Sequence, residues 1–210
     1  MEARRPAFSE LLATDLYDRL RSFGKGHDLD EGHALQVTRL ALDLFDQTGA
    51  VHRLVAEDRR LLFSAAYLHD VGISRGLKGH HKSSLELISG ADLSPLDRRE
   101  QSIVASVARY HRKAHPKARH RHYSALSPGD RRRVARMAAV LRIADALDLA
   151  HEDAVKDLEV EVSSRLLRLR AFSARPLPAE TEAVRKKGRL FEELFGLGVR
   201  VEAVRPGEGG

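Results

Sequence analysis

The 210-residue chain contains no cysteine and no tryptophan, and aromatic residues make up only 5% of it. Without cysteine there is no disulfide and no thiolate metal site, so any bound metal must be held by His, Asp or Glu. The scarcity of aromatics argues against a base-stacking platform, and nucleic acid is disfavoured as the main partner. No stretch approaches 18 consecutive apolar residues, and the N-terminal Met1-Glu-Ala-Arg-Arg-Pro6 lacks the apolar core of a signal peptide. A cytoplasmic protein without membrane contact is expected. What is present is charge: 36 Lys and Arg against 30 Asp and Glu, for a net +6. That balance favours anionic partners such as phosphates and nucleotides, while 42% hydrophobic residues suffice for a packed core.

Apolar periodicity predicts a mostly α-helical chain. An opening helix is expected over 8–23, ending at Gly24-Lys25-Gly26. Asp30 reads as the N-cap of the next helix, in which His33, Val37, Leu40 and Leu44 recur at helical spacing. Further helices are expected at 57–70, 81–89, 97–111 and 130–150, with breaks at Gly72 and Gly76 and a basic loop over 112–127. After 155 the pattern changes. Leu158-Val160-Val162 and Leu167-Leu169-Ala171 alternate with charged residues and predict a hairpin around Ser163-Ser164. A helix at 179–195 and a strand through Val199, Val201 and Ala203 follow. The expected division is a helical domain over 1–154, a small α/β appendage (hairpin, helix, strand) over 155–205, and a disordered tail over 206–210.

Several metal-ligating side chains extend apolar helix faces. His33 lies on the stripe of its helix; His69 follows Leu62 and Ala65; His111 follows Val104 and Val107; Asp145 and Asp148 follow Val134, Met137 and Leu141. Asp70 sits beside His69 at the end of an apolar helix. Burying a carboxylate is costly unless a cation or hydrogen-bond donors compensate it. A mixed set of imidazoles and carboxylates suits Mn, Fe, Co, Ni or Zn better than Ca, and Mg is kept among the candidate ions.

The order His33 … His69-Asp70 … Asp145 resembles the four metal ligands of the HD superfamily of metal-dependent phosphohydrolases. More specifically, the chain resembles the HD domain of the exopolyphosphatase / guanosine pentaphosphate phosphohydrolase family. The resemblance is carried by His33-Ala-Leu-Gln-Val-Thr-Arg, Ala66-Tyr-Leu-His-Asp-Val-Gly-Ile73, His80-His-Lys-Ser-Ser84, Ala108-Arg-Tyr-His-Arg-Lys113 and Leu141-Arg-Ile-Ala-Asp-Ala-Leu-Asp-Leu-Ala-His151, and spans about residues 30–200. It implies an HD helical bundle with one or two divalent ions held by His33, His69, Asp70 and Asp145. His81 and His111 would either complete a second metal or donate hydrogen bonds to phosphate. At the glycine break, His80 is the alternative to His81. Asp148, one turn after Asp145, is expected behind the ligands rather than among them.

The family's actin-like phosphatase domain is not in this chain, so its polyphosphatase site does not transfer. Where some catalytic HD branches carry a lysine, this sequence has Ile73, so another cation must meet the phosphate. Residues 109–122 hold six Lys or Arg and four His. They are expected to form a phosphate-attracting rim, with Arg112, Lys113 and nearby Lys82 as substrate-binding residues. His27, His52, His115, His120, His122 and His151 are expected at the surface. The implied activity is phosphohydrolysis of a phosphorylated nucleotide, a guanosine polyphosphate or inorganic polyphosphate, with Asp70 and His111 at the reaction centre. The alternative is a non-catalytic polyphosphate- or nucleotide-binding accessory module. A homodimer is left open.

Overall fold

A computed structural model describes residues 7–205. The expected disorder of 206–210 lies outside the described residues. Helices α1 (Phe8–Leu11) and α2 (Asp15–Lys25) open the chain, followed by α3 (Glu31–Gln47), α4 (Gly49–His52) and α5 (Ala56–Leu68). A 3-10 turn, Val71–Arg75, leads to α6 (His80–Gly90), α7 (Arg98–Arg109), α8 (Arg121–Ser124) and α9 (Pro128–Leu147). Strands β1 (Asp157–Val162) and β2 (Leu166–Phe172), helices α10 (Pro178–Lys187) and α11 (Arg189–Phe195), and strand β3 (Gly198–Val204) complete it. The fold is mostly α with a small α/β appendage.

Local chemistry sets the helix starts. The Asp30 side chain accepts the His33 N–H at 3.1 Å, fixing the first turn of α3. Asp97 and Glu100 form a reciprocal capping box at α7. Ser127 caps α9, and Pro128 occupies its first position, where no N–H is needed. Two expected helices are divided. The opening one breaks at Ala13-Thr14, because the Thr14 hydroxyl accepts the Tyr17 N–H and restarts the helix as α2. The helix expected over 179–195 breaks at Gly188, where a Cβ would lie 2.8 Å from the Val184 carbonyl and 3.4 Å from the Val199 side chain on β3.

The centre of the bundle is α9, whose residues from Met137 to Leu147 are all buried. A helix buried on every side shows no clean amphipathic stripe, because neighbours cover its whole circumference. Here α3, α5, α7 and α10 all pack on it. The sheet order is β1-β2-β3, antiparallel between β1 and β2 (Val160 opposite Leu169) and parallel between β2 and β3 (Leu169 opposite Val201). Parallel strands need a crossover, and α10 with α11 supplies it. Because α10 also lies on α9, its last residue, Lys187, is brought from the appendage to the helical part.

Candidate metal centre

Helix ends build the cluster. His33 lies in the first turn of α3, His69 and Asp70 directly follow α5, His80 opens α6, His111 follows α7, and Asp145 is in the last turn of α9. The final carbonyls of a helix have no intrahelical donor. Two histidines use them: His69 Nδ1–H donates to the Ala66 carbonyl and His111 Nδ1–H to the Ala108 carbonyl, both at 2.7 Å. His80 Nδ1–H donates to the Leu77 carbonyl at 3.1 Å, and His33 Nδ1–H to the Asp148 carboxylate at 2.8 Å.

The consequence is chemical. A neutral imidazole whose Nδ1 carries the proton presents a lone pair at Nε2. Four such atoms converge on two carboxylates. His33 Nε2 lies 3.9 Å from Asp70 Oδ2 and from Asp145 Oδ1; His69 Nε2 lies 3.5 Å and 3.9 Å from the same two atoms. On the other side of Asp70, Oδ1 is 3.1 Å from His80 Nε2 and 3.4 Å from His111 Nε2, and these two nitrogens are 3.1 Å apart. The two oxygens of Asp70 thus face two halves: His33, His69 and Asp145 on one side, His80 and His111 on the other. In each half the ligand atoms lie within 4.8 Å of one another. His33 Nε2, His69 Nε2 and Asp70 Oδ1 are buried with no hydrogen-bond partner. Lone pairs facing lone pairs and carboxylates repel unless a cation or proton lies between them, so the donor set fits a divalent metal.

Electrostatics agree. Burial works against protonation of His33, yet its bond to Asp148 and the charges of Asp145 and Asp70 raise its pKa above the usual range. Burial dominates at His69 and His111, whose pKa values are lowered, that of His111 strongly. Burial also opposes ionisation of Asp145, but the Lys187 ammonium and the neighbouring histidines hold its carboxyl below the ordinary range. Asp70 is likewise held down, by His69, His80 and His111 against its own burial.

A cleft of about 160 Å³ opens on this cluster, with Asp70, Asp145, Arg112, His151 and Lys187 among its walls. Arg112 Nη1 approaches His80 Nε2 at 3.3 Å, and Lys187 Nζ binds Asp145 Oδ2 at 2.5 Å. The residues expected as ligands, His33, His69, Asp70, Asp145 and His111, come together here. His81 does not: Gly79, in the left-handed conformation, starts α6 so that His80 faces Asp70. His81 is buried beside Arg109, its Nδ1 unpartnered. Lys82 and Lys113 also depart from expectation. Both are exposed and neither lines the cleft, so of the three expected phosphate-binding cations only Arg112 reaches it.

Sequence reasoning missed Lys187. It placed His151 at the surface, where the ring is indeed exposed, but gave it no part in the cleft that it borders. His151 stacks on His33 with ring centroids 3.6 Å apart and its Nδ1 3.0 Å from Asp30 Oδ2. No periodic signal marks Lys187 within Arg185-Lys186-Lys187, whereas the closeness of His151 to Asp148 was a usable one. His52, also expected outside, is buried, bonded to the Phe45 carbonyl at 2.8 Å.

Among the described residues no helix is long and apolar enough to cross a membrane. Residues 19–178 match the family model described as Ppx/GppA phosphatase, domain III.

Proposed function

The chain belongs to the Ppx/GppA phosphatase domain III family, and from that premise we propose that it is an HD-type, metal-dependent phosphohydrolase of the cytoplasm. Its substrate would be a phosphorylated nucleotide, a guanosine polyphosphate or inorganic polyphosphate. One observation carries this: four imidazoles, each anchored through Nδ1, turn their Nε2 lone pairs toward the buried carboxylates Asp70 and Asp145.

His33, His69, Asp70 and Asp145 would hold a first divalent ion (Mn, Fe, Co, Ni, Zn or Mg). His80 and His111, with the second oxygen of Asp70, would hold another. Such ions, when bound, supply electrophilic polarisation of a phosphoryl oxygen and acidify water. The chain's own groups do the rest. Asp148 fixes the tautomer of His33. Arg112 offers guanidinium N–H groups to phosphate oxygens at the cleft, where Ile73 supplies no lysine. Lys187 balances the charge of Asp145 and adds positive potential. Asp70 and His111 border the space where the phosphorus would lie.

A second reading is supported by Lys187, which already compensates one carboxylate: the cluster would then be structural and the chain a binding module for polyphosphate or nucleotides. Metal analysis of purified protein, with phosphate release measured across a substrate panel in Mn²⁺, Mg²⁺ and Co²⁺, separates the two. The enzyme reading expects one or two ions per chain and turnover that His69→Ala abolishes. Folded, metal-loaded protein without turnover above a metal-only blank would leave the binding module.

A further inference from the structure

His151 forms a wall common to two cavities. On one side is the 160 Å³ cleft with Arg112 and Lys187. On the other is a pocket of about 460 Å³, bounded by Phe8 and Leu35, by Gln36 and Arg39, and by Asp30 and Asp153. His33 and Asp148 reach this pocket too, so it adjoins the candidate metal centre directly.

We infer that the larger pocket receives the uncharged organic group, of the nucleoside or sugar class, of a phosphomonoester whose phosphoryl group occupies the cleft. This rests on the phosphohydrolase reading, and it turns that reading from polyphosphate toward monoesters of nucleosides or sugars.

Charge decides against a polyphosphate chain in the pocket. Among the described residues lining it, three carboxylates, Asp30, Asp148 and Asp153, face two cations, Arg39 and Lys156. Both cations are engaged. Arg39 donates to Gln36 at 3.1 Å, Asp43 at 3.1 Å and the Val155 carbonyl at 2.6 Å. Lys156 pairs with Asp153 at 2.8 Å. The imidazoles that also line it, His33 and His151, are paired with Asp148 and Asp30. A row of phosphates would therefore find its cationic groups already taken, whereas the exposed carboxylates of Asp30 and Asp153 offer acceptors to a hydroxyl-bearing group.

Shape and rigidity point the same way. Pockets of roughly 300–1,000 Å³ with apolar walls and a few placed polar groups suit small organic ligands. Phe8 and Leu35 offer the apolar wall. Gln36 Nε2 donates to the Val155 carbonyl at 2.6 Å, so the polar floor is held in place before any ligand arrives. The cleft has room for a phosphoryl group beside two cations, and its volume is about a third of the pocket's.

Gly32 permits a clean test. It is exposed at the start of α3 and lines the pocket, and a Cβ there meets only Asp30 Oδ1, at an ordinary 3.5 Å. Gly32→Leu should fold and occupy part of the pocket while leaving the 160 Å³ cleft, which Gly32 does not line, open. Titration calorimetry on Mn²⁺-loaded protein would compare inorganic phosphate, tripolyphosphate, adenosine 5′-monophosphate and glucose 6-phosphate. At least one ester should bind about tenfold more tightly than inorganic phosphate. Gly32→Leu should remove that gain while leaving phosphate affinity unchanged and without lowering the melting temperature, since Leu favours the helix more than Gly does. Phosphate binding with no gain from either ester overturns the pocket assignment alone. So does tighter binding of tripolyphosphate than of both esters, indifferent to Gly32→Leu. Absence of phosphate binding in both metal-loaded proteins removes the phosphohydrolase reading and this inference with it.

Discussion

The His33 imidazole on α3 and the Asp148 carboxylate closing α9 are 115 positions apart in sequence and 2.8 Å apart in space. The bond sets which nitrogen of His33 carries the proton, and the Asp148 charge makes the opposite nitrogen more basic. Groups in this position behind a metal ligand are worth about 10- to 100-fold in metal affinity. Asp148→Asn keeps the shape and removes the charge. It should weaken Mn²⁺ or Zn²⁺ binding by that factor in a chelator competition assay, with the fold retained by circular dichroism. Unaltered affinity would reduce Asp148 to a helix-end contact.

Lys187 and a metal ion would compensate the same carboxylate from opposite sides. Lys187 Nζ sits on Asp145 Oδ2, while Asp145 Oδ1 faces His33 and His69. Removing one partner of a buried pair leaves an uncompensated charge, which costs about 3–5 kcal/mol in well-buried cases. Lys187→Met should therefore lower stability by about 3 kcal/mol in the presence of a chelator. Added Mn²⁺ should recover much of the deficit. Urea unfolding with and without metal checks this, and an equal deficit in both conditions would show that the two cations do not share Asp145.

Arg112 differs from its basic neighbours in what it reaches. It lines the cleft, whereas Lys82 and Lys113 are exposed elsewhere. Charge-assisted hydrogen bonds are worth about 1.5–3 kcal/mol, so Arg112→Ala should weaken phosphate binding to metal-loaded protein at least about tenfold. Lys82→Ala and Lys113→Ala should stay near wild type. If all three weaken binding alike, the rim acts as a diffuse field rather than through one guanidinium.

Much of this arrangement was legible in the chain because burial is periodic. His33, His69, Asp145 and Asp148 fall in register with apolar residues, and a polar group in that register faces the interior. The choice between His80 and His81 was not legible. It depends on the phase at which α6 begins, and that is set by the positive φ of Gly79. Lys187 was hidden for a different reason: its role arises from α10 packing on α9, a long-range contact that no local pattern encodes. Gly188 is similar in part, since one of the two groups that leave no room for a Cβ there is Val199 on β3.

Gly72 fixes how closely the His69-Asp70 turn approaches α6. Its N–H donates to Ser84 Oγ at 3.0 Å, and Ser84 Oγ in turn donates to the His69 carbonyl at 2.8 Å. A Cβ at Gly72 would lie 2.2 Å from the His80 carbonyl oxygen and 2.4 Å from the Ser84 nitrogen. Both are backbone atoms and cannot swing aside. Gly72→Ala should cost about 1–3 kcal/mol, as overpacking does, and should separate Asp70 from His80. The predicted signature is loss of metal from the His80–His111 half with the His33–His69 half retained, read as a fall from two ions per chain toward one. A variant that melts and binds metal as wild type would refute the close approach.

His122 gives the fold a pH dependence away from the metal centre. Its Nε2 is buried without a hydrogen-bond partner, and its ring lies 5.4 Å from Tyr110, whose ring also carries the Arg109 guanidinium at 5.5 Å. Burial first, and the Arg109 charge second, push the His122 pKa down to about 4. In the unfolded chain an imidazole titrates near 6.5. Between these values the unfolded state binds a proton that the folded state refuses, so this contribution is full above about pH 6.5 and declines as the pH falls toward 4. His81, pushed to about 4 by burial and Arg109, adds a decline of the same sign. Urea midpoints between pH 7.5 and 4.5 should therefore fall for the wild type and fall less steeply for His122→Asn, by one proton's worth. Arg109→Met should raise the His122 pKa and flatten the curve in the same direction. Parallel curves for wild type and His122→Asn would mean that the His122 ring takes up its proton in the folded state as readily as in water.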